Sequence, residues 1–115
     1  MKHSDFNLIV EKRKEQITKI LSQKSKEYSS EDDRFHNFKR AAAILETTQE
    51  KALAGMLVKH MVSVLDIVNN PDRFTAEVVD EKIGDSINYL ILLEGTLYER
   101  MTKKELQPHS MAKKK

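Results

Sequence analysis

The chain has 115 residues, 20 of them Lys or Arg and 18 Asp or Glu, so its formal charge of +2 leaves no nucleic-acid footprint by itself. With 39 % apolar and 33 % charged residues it suits one small domain with a modest core, and it is too short for two. The lack of cysteine excludes disulfides, thiolate zinc sites and thiol nucleophiles, while three glycines and two prolines leave little turn chemistry for a many-stranded fold.

Met1 to Glu15 lack the apolar stretch of a signal peptide, and no run reads as membrane-spanning. A cytoplasmic setting without a membrane partner is therefore expected. The basic excess gathers at Lys12, Arg13 and Lys14 and again at Lys113, Lys114 and Lys115, as solvated faces and tails generally do.

Ser4 is placed to cap a first helix running to about Glu27, with Phe6, Val10, Ile17, Ile20 and Leu21 near one face. Tyr28 to Asp33 is polar and serine-rich, and reads as a loop. Asp32 or Asp33 then starts a shorter helix with Phe35, Phe38, Ala42 and Leu45 at helical spacing. Thr47 and Glu50 form a capping box for a third helix, which turns Leu53, Leu57, Val64, Ile67 and Val68 inward and stops at Asn69-Asn70-Pro71. Thr75 caps a fourth helix reaching about Met101, with Val79, Ile83, Ile87, Leu90, Glu94 and Leu97 along one stripe. Residues 1–101 thus read as a single helical domain and 102–115 as a disordered tail.

The fourth helix carries the candidate chemistry. At about 100° per residue, Glu81, Asp85 and Asn88 share a narrow arc, bordered by Gly84 and continued by Leu92. Two carboxylates one turn apart beside an amide can share a hard cation such as Mg²⁺; equally, they can be surface acids with Lys82 as a partner. On the third helix Lys59, Ser63 and Asp66 form a second polar arc, with His60 displaced toward the apolar side. An antiparallel pairing of the two helices would let both arcs meet. Lys59 would then neutralise phosphate oxygens and Asp66 would supply a third carboxylate. His60 reads either as a hydrogen-bonded core residue or as a ligand. Four helices in so short a chain also leave an apolar face to cover, so at least a homodimer is expected, with the third and fourth helices near its interface.

The run from Glu81 through Gly84 and Asp85 to Leu90 resembles the second signature helix of MazG-like nucleoside triphosphate pyrophosphatases. Ser63 and Asp66 stand where that group carries a Glu-x-x-Glu pair, so Ser replaces the first Glu and the shorter Asp replaces the second. A closer likeness is to small phage and prophage members, through Lys24, Tyr28, Arg34, Phe35, Asn37 and Phe38.

The resemblance spans roughly Lys24 to Glu99. It implies an all-α, four-helix MazG-like bundle with a disordered basic C-terminal tail, assembled as a homodimer or tetramer. It also implies Mg²⁺-dependent cleavage of a nucleoside triphosphate between the α- and β-phosphates, in nucleotide housecleaning or phage nucleotide metabolism in a host cytoplasm. The implied catalytic and metal residues are Glu81, Asp85 and Asp66. Lys59 with Lys24 or Arg34 would offset phosphate charge, Asn37 and Asn88 would orient phosphate or sugar, and Tyr28 or Phe35 would stack on a base. His60 and Ser63 complete the implied nucleotide-binding set. The missing carboxylate at Ser63 leaves room for a nucleotide-binding domain without catalysis. A third reading is a helical interaction module whose polar arcs lie in a subunit interface.

Overall fold

In the computed structural model, which describes residues 1–23 and 33–105, the described residues form four α-helices and no strand. These are α1 (His3–Thr18), α2 (His36–Ile44), α3 (Gln49–Asn69) and α4 (Ala76–Glu105). A π-helical turn at Lys19–Gln23 continues α1, and a 3-10 turn at Pro71–Arg73 leads into α4. The all-α expectation holds. The expected end of the first helix near Glu27, the polar loop after it and the tail beyond Glu105 lie outside the described residues. Helix α4 itself runs through Glu105, past the boundary expected at Met101.

Side-chain caps set two of the helix starts. Thr75 Oγ1 accepts from the Val78 amide at 3.2 Å, as expected. On α3 the cap is Thr48, whose Oγ1 accepts from the Lys51 amide at 3.2 Å, one residue beyond the Thr47 that the spacing predicts. Thr47 is already used in closing α2. Its amide donates to the Ala42 carbonyl at 2.9 Å, and that of Glu46 to Ala43 at 3.2 Å, a Schellman closure with Glu46 at φ 54. A glutamate in that left-handed position costs about 1 kcal/mol. Ser4 does not cap α1, which starts after Lys2 without a side-chain cap.

Helices α3 and α4 pack antiparallel, Gln49 meeting Glu99 at one end and His60 meeting Asp85 further along. Leu53 (0 % exposed), Ala52 and Ile67 of α3 are buried, joined by Ala42 of α2. Leu57 and Val64 are half-buried, but Val68, also expected inward, is exposed. On α4 the stripe is inward only at first. Val79, Ile83 and Ile87 are half-buried, whereas Leu90, Glu94 and Leu97 are exposed. Helix α1 buries no residue at all, and Phe6 and Val10 on its expected inner face are exposed.

With 21 residues and an 18-residue window of mean hydropathy 1.4, α3 is long and apolar enough to cross a membrane by length and composition alone, where no run was expected to read so. The cause is visible in the packing: α3 is apolar on the side that meets α4 and again on the side that does not.

Helix α2 is fastened to α4 by shape and by charge. Phe35 sits where a Cβ at Gly95 would lie 2.6 Å from its Cζ, so this close approach requires glycine. Phe35 is therefore a packing residue rather than the base platform the resemblance implied. The Lys39 ammonium lies 2.6 Å from Asp33 Oδ2 and 3.1 Å from Glu99 Oε1, and Gln49 Nε2 donates to that same Oε1 at 2.7 Å. The hydrogen bond from Lys39 holds the Asp33 carboxyl below its ordinary range, outweighing its partial burial. In turn the bond to Asp33 raises the Lys39 ammonium above its own ordinary value.

The lowered Asp33 carboxyl stabilises the fold fully above the ordinary carboxylate range, and that contribution is lost as pH falls through its native value. The raised Lys39 contribution is whole below the ordinary lysine range and is lost as pH rises through its native value. Urea unfolding between about pH 2.5 and about pH 7 is expected to show a stability loss below about pH 4 that Lys39→Met largely flattens. At neutral pH the same variant should cost about 0.5–1 kcal/mol, since the partly exposed pair is screened by water. An unchanged acid limb would remove the pair as its source.

Candidate functional site

Helix α1 reaches α4 through polar groups. Arg13 Nη2 donates to Asp80 Oδ1 at 2.8 Å and to the Asp80 carbonyl at 3.1 Å, and Gln16 Nε2 donates to Asp80 Oδ2 at 2.9 Å. The guanidinium lies over Gly84, where any Cβ would collide with Arg13 Nη1. The bare backbone at Gly84 thus admits a side chain of α1.

Two depressions flank this contact and share Ile20 and Asp85. The first, about 290 Å³, lies between α1 and α4 beside Arg13, Gln16, Lys19, Asp80, Glu81 and Gly84. The second, about 330 Å³, is enclosed by Leu21, by Arg34, Asn37 and Phe38, and by Asn88, Tyr89 and Leu92 of α4. Apolar and aromatic walls with a few polar groups are what small-molecule sites generally offer.

Asn88 is the unusual group in the second depression. It is 6 % exposed, yet its Oδ1 has no hydrogen-bond partner. Two other polar side chains buried on α4 satisfy themselves on their own helix. Ser86 Oγ donates to the Lys82 carbonyl at 3.1 Å, and Thr96 Oγ1 donates to the Leu93 carbonyl at 2.8 Å. A carboxamide oxygen only accepts, and helix carbonyls cannot serve it. Left unpaired, such a group costs about 1–3 kcal/mol.

Tyr89, next along α4, is stacked against His60 with ring centroids 4.5 Å apart and planes 29° from parallel. His60 Nδ1 lies 3.7 Å from Asp85 Oδ2, too far for a hydrogen bond but close enough to pair when the ring is protonated. The histidine thus braces the aromatic wall of the depression from behind and stands near its acid.

The expected site residues divide as follows. Arg34, Asn37, Asp85 and Asn88 come together at the second depression, and Glu81 joins Asp85 at the first. His60 meets them from α3. Lys59 and Asp66 do not, because both are exposed on the far side of α3, and the half-buried Ser63 turns its hydroxyl back to the Lys59 carbonyl at 3.4 Å. Lys24 and Tyr28 lie outside the described residues.

The expected metal set is likewise not assembled. Among the described residues no three of His, Asp and Glu gather closely enough to hold an ion, and Glu81 has Lys82 as a neighbour at 3.8 Å. Among the described residues, Glu81 and Asp85 thus stand without the third carboxylate expected of Asp66. Sequence reasoning missed Arg13, Gln16 and Asp80, for which no spacing signal exists across so long a separation. It also passed over Tyr89, although its place directly after Asn88 was available.

No family model, curated protein or solved structure matches the chain.

Asn88→Leu keeps the branched shape of the side chain while removing the unpaired acceptor. Thermal and urea unfolding of this variant is expected to show stability equal to the parent or up to about 1 kcal/mol higher. A loss of more than about 2 kcal/mol would mean that Asn88 has an internal partner after all.

Proposed function

We propose that the chain binds a nucleotide, with the base held in the depression between α1, α2 and α4. Phe38, Tyr89 and Leu92 supply apolar and aromatic surface for a planar ring. The carboxamide of Asn88 reads a polar edge of that ring, and Arg34 offers a permanent positive charge for phosphate. The observation that carries this reading is the unpartnered Oδ1 of Asn88, buried in an aromatic-walled depression. A base bearing N–H groups meets that demand, whereas a purely apolar ligand does not.

A second reading, cleavage of a nucleoside triphosphate with Mg²⁺, is favoured by Glu81 and Asp85. They stand one helical turn apart at the first depression, which adjoins the proposed base site through Asp85. Such a cation is commonly held by one or two carboxylates together with waters and substrate phosphates, so the pair suits a metal carried in with its substrate, but no catalytic step is derived from them. Binding is therefore the primary reading.

Both readings meet in one experiment. Thermal unfolding with a panel of ribo- and deoxyribonucleoside triphosphates, in EDTA and then in Mg²⁺, is expected to raise the melting temperature in both. At a hundredfold excess over Kd the stabilisation would be about 2.7 kcal/mol, several degrees for a domain of this size. Asn88→Leu should abolish the shift. No shift with any nucleotide would sink the binding reading. Pyrophosphate release that depends on Mg²⁺ and disappears in Asp85→Ala would put hydrolysis in its place.

A further inference from the structure

The outward side of α3 is built unlike a solvent face. Val58, Met61, Val62 and Leu65 recur at i, i+3, i+4 and i+7, and with Val68 they are between 43 and 67 % exposed. They stand opposite the side that carries His60 and Ile67 toward α4. Together they expose roughly 500 Å² of contiguous apolar surface, within the range that marks interaction sites on soluble proteins.

Beside this stripe lie two charges of opposite sign, Lys59 and Asp66. They are seven residues apart, so they share one flank of the helix. Both are exposed, and neither pairs with another described side chain.

We propose that this face pairs with the same face of a second copy of the chain. The two α3 helices run antiparallel about a two-fold axis passing between Val62 and Ser63. Lys59 and Asp66 sit symmetrically about that midpoint. An antiparallel pair brings like flanks together, so Lys59 of each copy meets Asp66 of the other, at both ends of the contact. A parallel pairing about a two-fold axis along the helices would bring unlike flanks together and leave both charges without that partner.

Such self-complementarity is the mark of an isologous contact. At a lipid surface Lys59 would be favourable but Asp66 beside the stripe would be a cost, so the opposed pair has no use there. Two copies would bury roughly 1,000 Å² of apolar surface in total before the charged rim is added, about the least a specific interface needs. The exposed stripe on α4 offers no comparable pairing, because Glu94 is taken by Tyr98 of its own helix at 2.7 Å. The polar arc of Lys59, Ser63 and Asp66 thus belongs to an interface between copies, whether or not the depression on α4 binds a nucleotide.

Sedimentation equilibrium of the full chain tests this through a charge swap. The parent is expected to be dimeric at micromolar concentration. Lys59→Glu and Asp66→Lys should each weaken the dimer roughly tenfold, and the double variant should recover to within about threefold of the parent. Leu65→Glu should give a monomer with its helical circular dichroism intact; should it unfold instead, the charge swap decides alone. A monomeric parent overturns the proposal. So does a dimer that the single charge reversals leave unchanged, or one that the double variant fails to restore. Recovery of a monomeric parent on neutral phosphatidylcholine vesicles would assign the stripe to lipid.

Discussion

The structure turns on what α4 buries. Among its most enclosed side chains are Ser86, Asn88 and Thr96, polar groups on a helix that also packs against α3. A hydroxyl can enter an apolar interior at little cost, because it rotates to donate to a carbonyl of the preceding turn, as Ser86 and Thr96 do. A carboxamide has no such escape. It presents an acceptor and two donors in a fixed plane, and the helix has no free amide in mid-span to meet the acceptor. Asn88 therefore needs something that the helix cannot supply, and the depression opens where it stands. Gln16 Oε1 and Gln49 Oε1 are likewise unpartnered, but around Asn88 Tyr89 and Leu92 provide apolar walls and His60 stacks behind Tyr89.

How much of this was legible in the sequence follows from the same geometry. Periodicity gives the relative angle of residues on one helix, so Glu81, Asp85 and Asn88 were correctly placed on one arc of α4. On α3 it also grouped Lys59, Ser63 and Asp66 correctly. What periodicity cannot give is which arc faces inward when a helix is apolar nearly all round. On α3 the inward arc runs through His60 and Ile67, which turns Lys59 and Asp66 outward and leaves the histidine as the point of contact. The same ambiguity explains why Val68 was expected inside and why α3 matches a membrane span by composition. Helix ends were read to within a residue or two where a threonine caps them. At Thr47 the reading failed, because the closing turn of α2 had already claimed its amide.

Contacts between distant parts of the chain were not legible at all. Nothing in the spacing of Arg13, Gln16 and Asp80 announces that they meet, and Gly84 alone does not say what approaches it. These residues nevertheless decide where α1 sits. Asp80, Glu81 and Asp85 place three carboxylates within six residues, an arrangement with strong self-repulsion unless one is neutralised. Arg13 and Gln16 engage Asp80, the first of these three, and leave the other two at the mouth of the first depression.

That division has a mechanical consequence. Both depressions have α1 or its π-helical continuation as one wall, and this wall is joined to α4 by an ion pair, hydrogen bonds and the half-buried Leu21 rather than by a buried apolar core. The opposite wall rests on the α3–α4 contact around Leu53. Elements with few buried apolar contacts open at a smaller free-energy cost than the core they lean on. On the proposed binding reading, a ligand entering beside Asn88 would displace the polar attachment of α1 before it disturbed α3 and α4. The bare backbone at Gly84 would leave room for the guanidinium to return. Fixed chemistry on α4 and a lightly fastened wall on α1 would together let a buried, unsatisfied amide be reached without unfolding the helix that carries it.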